Sequence, residues 1–390
     1  MKLFKIMPLI LAATFLGACS SDKTPKTPLQ TAICPAETAL TTVAETSSSE
    51  QIRKNLAKEY LDKMSLNEKV GQMFFATCPK NKAENELDYI STYALGGYIL
   101  FSEDFKEKTP EKVQQSIEGY QNASKIPMLI GVDEEGGKVV RASKYPEFRS
   151  EPFPSPQELF EKGGFDLIKT DTAEKIGFLK NLGVNVNLAP VCDVSTNPDD
   201  YINNRSFGQN AEQTAEYIKT TVGVYEEYNF ACVLKHFPGY GNNIDTHTGI
   251  AIDERSYEEI SNNDFLPFIA GINSGVGAIL VNHNITNCID ETVPSSISPK
   301  VHEVLRETLN FDGVIMTDEL GMDAIEKYTY GDDVAVLAVI AGNDLIVSTN
   351  FTEQYESLMN AVNSGKIDVK RIDESVMRIL EWKIKMGIIS

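Results

Sequence analysis

The stretch FACVLKHFPGYGNNIDTHT, residues 230–248, decides the fold. It begins with an apolar run that is typical of a buried strand, and Pro238 and Gly239 must end that strand. Lys235 and His236 therefore fall at the carboxyl end of a buried strand, which is where α/β barrels carry their functional groups. The stretch also holds two of the four histidines of the 390-residue chain, beside an aspartate.

Short apolar runs recur along the chain and alternate with segments whose apolar residues lie three and four positions apart. Two such segments run from Ala211 to Tyr228 and from Tyr257 to Ile272. This alternation predicts parallel βα units, and eight candidate strands favour a single (β/α)8 TIM-type barrel over a doubly wound sheet. The candidate strands are QMFFAT from residue 72, GGYILF from 96, PMLIGVD from 127, VNVNLAP from 184, ACVLKHF from 231, GAILVNHN from 277, GVIMTDE from 313 and NDLIVST from 343. Residues 371–388 predict an amphipathic helix that packs on the barrel.

The first nineteen residues have the pattern of a signal peptide that ends at a cysteine. Two lysines precede an apolar run over residues 6–16, and the tetrapeptide LGAC, ending at Cys19, is typical of a lipobox. The apolar run is shorter than the ~20 residues that span a bilayer. We therefore expect a bacterial lipoprotein whose lipidated Cys19 anchors it at the extracellular face of the cell membrane. Ordinary secretion is the alternative.

The composition divides the rest of the chain into a spacer and a body. Residues 20–50 are rich in Ser, Thr, Pro and Ala without an apolar period, which predicts a flexible linker, and residues 51–390 then form one large domain. A formal net charge of -20 without a basic stripe excludes nucleic acid as a partner. The spacings of Cys, His, Asp and Glu predict neither a metal site nor a disulfide framework, and no glycine-rich phosphate loop indicates a nucleotide cofactor.

Five motifs follow one another in the predicted domain. They are GVDEEGGKVVR at 131–141, NVNLAPVCDV at 185–194, NNRSFG at 203–208, KHFPGYG with a following Asp-Thr-His at 235–247, and GVIMTDEL at 313–320. Together they resemble glycoside hydrolase family 3, and more closely its β-N-acetylglucosaminidase branch. The resemblance covers roughly the whole chain after residue 50 and implies the same barrel. Many larger relatives carry a second α/β domain that supplies a general-acid glutamate, and we expect a single barrel without it here.

The resemblance implies that Asp318 is the nucleophile, that His247 is the acid/base, and that Asp245 orients and polarises His247. Retaining glycoside hydrolysis needs a carboxylate that attacks the anomeric carbon and an acid that later acts as base. A histidine suits the second role because its pKa of about 6.5 lets it give and take a proton near neutral pH. From the residues alone, the alternative for Asp318 is an N-cap, and the alternative for Asp-Thr-His is a local turn cap or an ordinary solvated loop. Glu319 is a neighbouring carboxylate, but the motif match falls on Asp318.

The resemblance further implies a set of residues that bind the terminal sugar: Asp133, Arg141, Arg205, Lys235 and His236. Carboxylates accept hydrogen bonds from sugar hydroxyls, while guanidinium and ammonium groups donate to them. From the residues alone, an ion pair with a neighbouring acid is the alternative for Arg141 and Arg205. Lys235 favours a functional interpretation, because an unpaired buried ammonium is costly.

The chain departs from the family pattern at two points. Tyr240 stands where KHFPGHG has its second histidine, and the loop over residues 241–245 is about one residue shorter. Among the remaining polar residues, we expect His283 to be a core or rim histidine, His302 to lie on the surface, and Asp193 to be a secondary site candidate.

The resemblance implies a retaining exo-β-N-acetylglucosaminidase that works through a glycosyl-aspartate intermediate and needs no cofactor, and the 2-acetamido preference rests on the resemblance alone. Its carbohydrate substrates would be peptidoglycan fragments or chitooligosaccharides. The alternatives are a β-glucosidase or β-xylosidase of the same fold, a phosphorolytic variant, and a lipid-anchored glycan-binding protein without turnover. The sequence leaves the oligomeric state open.

Overall fold

The computed structural model describes residues 35–79, 86–241, 251–321, 325, 327–329 and 331–390, with side chains from residue 49 onward. The chain divides into two compact units, Met1–Ser48 and Ser49–Ser390. Helix α1 spans Pro35–Asp62. Residues 35–50 of the predicted linker are thus helical, in a stretch where alanine and glutamate favour that conformation, and the predicted domain division stays a prediction. The predicted signal peptide with Cys19 lies outside the described residues.

Short strands carry the architecture of the second unit. They are β1 (Phe74–Thr77), β2 (Gly97–Leu100), β3 (Leu129–Val132), β4 (Val186–Asn187), β5 (Ala231–Phe237), β6 (Ile252–Asp253), β7 (Ala278–Val281), β8 (Ile285–Thr286), β9 (Val314–Thr317) and β10 (Ile346–Ser348). Eight of them form one sheet of parallel pairs in the order β10-β1-β2-β3-β4-β5-β7-β9.

The two end strands of this sheet meet. Met316 of β9 forms a parallel bridge with Leu345, just before β10, and the Thr317 N–H donates to the Leu345 carbonyl at 3.1 Å. The sheet therefore closes into a barrel, and the predicted (β/α)8 TIM-type fold is confirmed. Each of the eight predicted apolar runs contains one barrel strand.

Helices lie between the strands along the chain. They are α2 (Leu66–Gln72), α3 (Glu86–Tyr93), α4 (Ser102–Phe105), α5 (Pro110–Ala123), α6 (Pro156–Leu182), α7 (Ala211–Glu227), α8 (Tyr257–Asn262), α9 (Phe265–Asn273), α10 (Pro299–Glu303), α11 (Val334–Ala341), α12 (Phe351–Asn363) and α13 (Val369–Lys385). None of the described helices has the combination of length and apolar character that crossing a membrane requires.

The pattern of burial explains why each barrel strand lies in a continuous apolar run of the sequence. Every residue of the eight barrel strands is buried, as expected for a parallel sheet covered by helices. Helix α13 is the predicted amphipathic helix: Ile372, Val376 and Ile379 on one face are completely buried. Burying each such side chain stabilises the fold by about 1.5–3 kcal/mol.

Two local features of the secondary structure differ from expectation. The segment from Tyr257 to Ile272 is two helices, α8 and α9, broken where the buried Asp264 turns its carboxylate to Arg255. A two-residue parallel pair, β6 with β8, lies outside the barrel and is too short to leave a periodic signal.

The prediction that His302 lies on the surface is wrong. Its side chain is buried and Nδ1 donates to the Ser298 carbonyl at 2.8 Å. Gly342 makes room for the ring, because a Cβ there would stand 2.9 Å from the His302 Cβ. Burial lowers the pKa of His302. His302 and Gly342 are far apart in the chain, so a short stretch of sequence cannot predict their contact.

Candidate active site

A cavity of about 640 Å³ lies at the carboxyl ends of the barrel strands. Such a volume falls within the range of small-molecule pockets. Its lining includes the described residues that the sequence predicted for catalysis and sugar binding, which are Asp133, Arg141, Arg205, Lys235, His236 and Asp318, but not the secondary candidate Asp193. The barrel thus gathers residues that are up to 185 positions apart in the chain.

Lys235, near the end of β5, bridges two carboxylates. Its Nζ lies 2.7 Å from Asp133 Oδ1 and 2.6 Å from Glu135 Oε1. Asp133 also pairs with Arg141, whose Nη2 is 3.3 Å from Oδ2. The Lys235 side chain is only 3% exposed, so the two carboxylates offset the cost of burying its charge.

Glu135 is held by two cations. The Arg205 guanidinium binds it in a bidentate manner, with Nη2 to Oε1 at 2.8 Å and Nε to Oε2 at 3.1 Å. Burial acts to raise the pKa of Glu135, but the charges of Lys235 and Arg205 outweigh it and hold the pKa well below its usual range. The pKa of Asp133 is likewise lowered, because Lys235 and Arg141 outweigh burial. Both groups are therefore carboxylates at neutral pH and act only as hydrogen-bond acceptors.

His236 lies between Arg205 and Asp193. Its Nε2 is 3.2 Å from Arg205 Nη2, and its Nδ1 is 2.7 Å from Asp193 Oδ2. A guanidinium can only donate, so Nε2 accepts from Arg205 and the proton sits on Nδ1, which donates to Asp193. His236 is therefore fixed as one neutral tautomer and is not placed to give a proton to a substrate.

Asp193, the secondary candidate, organises the segment after β5. Besides the imidazole, its carboxylate accepts from the backbone N–H of His236 at 3.2 Å and of Tyr240 at 2.7 Å. Tyr240, at the position where the sequence departs from the family motif, is buried and packs edge-on against His236 with ring centroids 5.5 Å apart. The presence of Tyr240 instead of the histidine of the family motif therefore does not displace the His236 imidazole.

Asp318 follows β9 directly and is half-buried at the cavity wall. Its Oδ1 accepts from the backbone N–H of Glu319 at 2.9 Å. The N–H groups that an N-cap at Asp318 would bind have other acceptors: Leu320 donates to the Val347 carbonyl and Gly321 to Glu319 Oε1. Within these described residues, Asp318 does not form that cap, and its carboxylate lines the cavity.

Glu319, the neighbouring carboxylate, is engaged in structural contacts. Its Oε1 accepts from the N–H of Thr349 at 2.8 Å and of Gly321 at 2.9 Å. Its Oε2 accepts from the hydroxyls of Thr77 at 3.3 Å and Thr349 at 3.1 Å. Glu319 therefore links the end of β1 to the segments after β9 and β10, so protein donors occupy its carboxylate although Glu319 also lines the cavity.

The conformation of the loop after β3 accounts for the sequence EEGG at residues 134–137. Glu134 points into the loop and accepts from the N–H groups of Arg141 at 3.0 Å and Ala142 at 2.9 Å. Gly136 and Gly137 have φ of 99° and 64°, a conformation that favours glycine. A Cβ on Gly137 would stand 2.6 Å from that of Ser155. This compact loop sets the position of Arg141.

Asp245 and His247 lie outside the described residues, which stop at Gly241 and resume at Ala251. The described ends of this segment are firmly held. Arg255 pairs with Asp253 and with Asp264, each at 2.7 Å, and a Cβ on Gly239 would stand 2.3 Å from Asp264 Oδ1. The predicted roles of Asp245 and His247 stay predictions.

The ion-pair interpretation of the two arginines is confirmed, and their predicted role in sugar binding stays a prediction. Arg141 and Arg205 each pair with a carboxylate, as the alternative expected, and both line the cavity. Glu135 was missed, although residues two apart on an extended chain share a side, and Glu135 stands two positions after Asp133. His283 is a buried core histidine whose Nε2 donates to the Glu319 carbonyl at 3.0 Å.

The family model described as "Glycosyl hydrolase family 3 N terminal domain" matches residues 65–382. The chain belongs to glycosyl hydrolase family 3. The match covers the barrel and all the described cavity residues.

Named relatives are similar over most of the chain. A beta-hexosaminidase A from Pseudoalteromonas piscicida is 30% identical, over 77% of this chain and 55% of its own length. A beta-hexosaminidase from Methylococcus capsulatus is also 30% identical, over 75% of this chain and 86% of its own length. The solved family 3 beta-N-acetylglucosaminidase from Paenibacillus sp. str. FPU-7 is 31% identical with a TM-score of 0.76, and the match covers 83% of this chain and 63% of that one. The chain thus spans little more than half of the first relative.

Proposed function

We propose that this chain is a retaining exo-β-N-acetylglucosaminidase that removes terminal non-reducing β-N-acetylglucosamine from glycans. The observation that carries the proposal is the cavity that joins Asp318 to the ion-paired group of Asp133, Lys235 and Arg205 at the strand ends of a family 3 barrel. The preference for a 2-acetamido sugar is supported by the names of the similar proteins.

The buried charges suit the binding of a polar, uncharged sugar. Asp133 offers acceptors to hydroxyl groups, while Arg141 and Lys235 offer donors beside it. Because these groups already hold one another, little reorganisation is needed when a sugar enters. The ring is thereby oriented with its anomeric carbon toward Asp318.

The chemistry divides into two steps. The Asp318 carboxylate attacks the anomeric carbon as the bond to the leaving oxygen breaks, and His247 gives that oxygen its proton. His247 then takes a proton from water as the water oxygen attacks the glycosyl-aspartate, which releases the sugar and restores both residues. Asp245 holds the imidazole in the productive tautomer. His236 cannot replace His247, since its proton is committed to Asp193.

The lipobox sequence supports attachment of the enzyme to the membrane through Cys19. Its substrates at the extracellular face would be peptidoglycan fragments or chitooligosaccharides. A palmitate label that is retained by the wild-type chain and lost in Cys19→Ser would support the anchor. Cys34→Ser is the matched control and should keep the label.

The activity test uses the full chain in detergent with paired chromogenic β-N-acetylglucosaminide and β-glucoside substrates, with and without phosphate. We expect preference for the acetamido sugar and loss of nearly all turnover in Asp318→Asn. Asp312→Asn is the matched control, because Asp312 is exposed and precedes β9 at its other end. Better cleavage of the glucoside would overturn the substrate assignment, and release of a sugar phosphate would name phosphate as the acceptor. Sugar binding without cleavage would favour a non-catalytic binding protein.

A further inference from the structure

Tyr201 is an exposed aromatic residue on the lining of the cavity. It follows β4 in the turn that also carries Arg205, and 37% of its surface is exposed. In contrast, the Lys235 and His236 side chains at the cavity floor are 3% and 6% exposed. Tyr201 therefore lies at the rim, beyond the groups that hold the terminal sugar.

The ring of Tyr201 is held in place from below. It packs on Tyr240 with centroids 5.8 Å apart and planes tilted by 38°. Tyr240 is itself buried against His236 and anchored by its N–H to Asp193. An aromatic ring fixed in this way can stack on a second ring at little entropic cost.

The topology assigns Tyr201 to one side of the cavity. In the closed sheet, β4 is separated from β9 by β5 and β7, so Tyr201 stands across the barrel mouth from Asp318. In a retaining hydrolase, the nucleophile and the acid flank the scissile bond. The leaving group therefore departs away from Asp318, toward the side on which Tyr201 lies.

We infer that the ring of Tyr201 stacks on the first sugar of the aglycone, which is the leaving group of the reaction. This inference rests on the proposed glycosidase function and deepens it. The C–H groups on one face of a pyranose ring would pack on the exposed aromatic face. The substrates are then oligosaccharides rather than glycosides of small alcohols, and Tyr201 acts on specificity rather than on bond breaking.

The test compares chitotriose with methyl β-N-acetylglucosaminide, whose aglycone is too small to reach the ring. Release of N-acetylglucosamine is measured for the full chain and for Tyr201→Ala and Tyr201→Phe. We expect Tyr201→Ala to lower kcat/KM for chitotriose about tenfold and to leave the methyl glycoside within about twofold. Tyr201→Phe should match the wild type on both substrates, because the ring and not the hydroxyl makes the contact.

Tyr228→Ala is the matched control, since Tyr228 is 43% exposed and lies before β5, at the other end of the barrel. Equal losses on both substrates would mean that Tyr201 only supports Tyr240, and would overturn the inference. No loss on chitotriose would overturn it as well. A wild-type chain that cleaves neither substrate would overturn the proposed function and this inference together, whereas activity that is indifferent to Tyr201→Ala would overturn the inference alone.

Discussion

Arg205 Nη2 and His236 Nε2 lie 3.2 Å apart, and this contact decides which nitrogen of the imidazole carries the proton. The same guanidinium binds Glu135 through two nitrogens, so Arg205 joins Lys235 in keeping a buried carboxylate charged and also determines the tautomer of a histidine. The donor pattern of the cavity floor therefore depends on Arg205.

Arg205→Met should destabilise the fold by about 3 kcal/mol, because it leaves buried Glu135 with one cation instead of two. Denaturant unfolding measures the change, and ¹⁵N spectra should show the His236 ring losing its single tautomer. Lys219→Met is the control: Lys219 pairs with Glu216 at the surface, so the loss should stay within about 1 kcal/mol. A change as small as the control's would show that the Arg205 ion pair contributes little.

Substitution of Asp318 should affect mainly turnover, and substitution of Glu319 should affect mainly stability. Asp318→Asn removes the proposed nucleophile and should lower kcat by at least about a thousandfold with little change in Tm. Glu319→Gln weakens the side chain that accepts hydrogen bonds from Thr77, Gly321 and Thr349. The variant should lose about 1–3 kcal/mol of stability and keep most of the turnover. Activity assays and thermal unfolding of both variants check this, and a reversal of the two patterns would name Glu319 as the nucleophile.

Lys383 should make the stability depend on pH. Its side chain is fully buried, Nζ donates to Gln72 Oε1 at 2.8 Å, and burial lowers its pKa from 10.5 to about 7. The unfolded chain therefore binds this proton more readily, so stability is lost as the pH falls from about 10.5 to about 7 and the loss is complete below the folded pKa. The shift corresponds to an upper limit of about 5 kcal/mol.

Lys383→Met removes this proton linkage. The free energy of unfolding of the variant relative to wild type should be highest near pH 6 and should fall by about 1.4 kcal/mol per unit between pH 7 and 10. The variant also leaves Gln72 Oε1 without its partner, which costs about 1–2 kcal/mol at every pH. The slope and not the intercept is thus the readout, and a flat difference would contradict the shifted pKa.

Gly239→Ala should disturb the start of the segment that carries Asp245 and His247. Gly239 has a φ of 129°, and a Cβ would collide with the Asp264 carboxylate. We expect a loss of about 2 kcal/mol or more in unfolding experiments, together with reduced turnover. Gly177→Ala in helix α6 is the control, because no atom lies within 4 Å of its added Cβ, and it should stabilise the fold by up to about 1 kcal/mol.

Much of the fold could be predicted from the sequence, because a parallel barrel buries its strands on both faces. That burial forces continuous apolar runs such as ACVLKHF, and each run marks a strand whatever its neighbours are. The β6–β8 pair and the break at Asp264 could not be predicted, since two-residue strands have no period and the break depends on a contact with Arg255.

The sequence by itself determined which strand ends carry polar side chains, and its resemblance to family 3 singled out Asp133, Lys235 and Asp318. Only the tertiary structure decided what those side chains do to one another. The bridge from Lys235 to Glu135, the tautomer of His236 and the burial of His302 all arise between residues far apart in the chain. They depend on distances of about 3 Å, which a one-dimensional pattern does not contain because chain folding sets them.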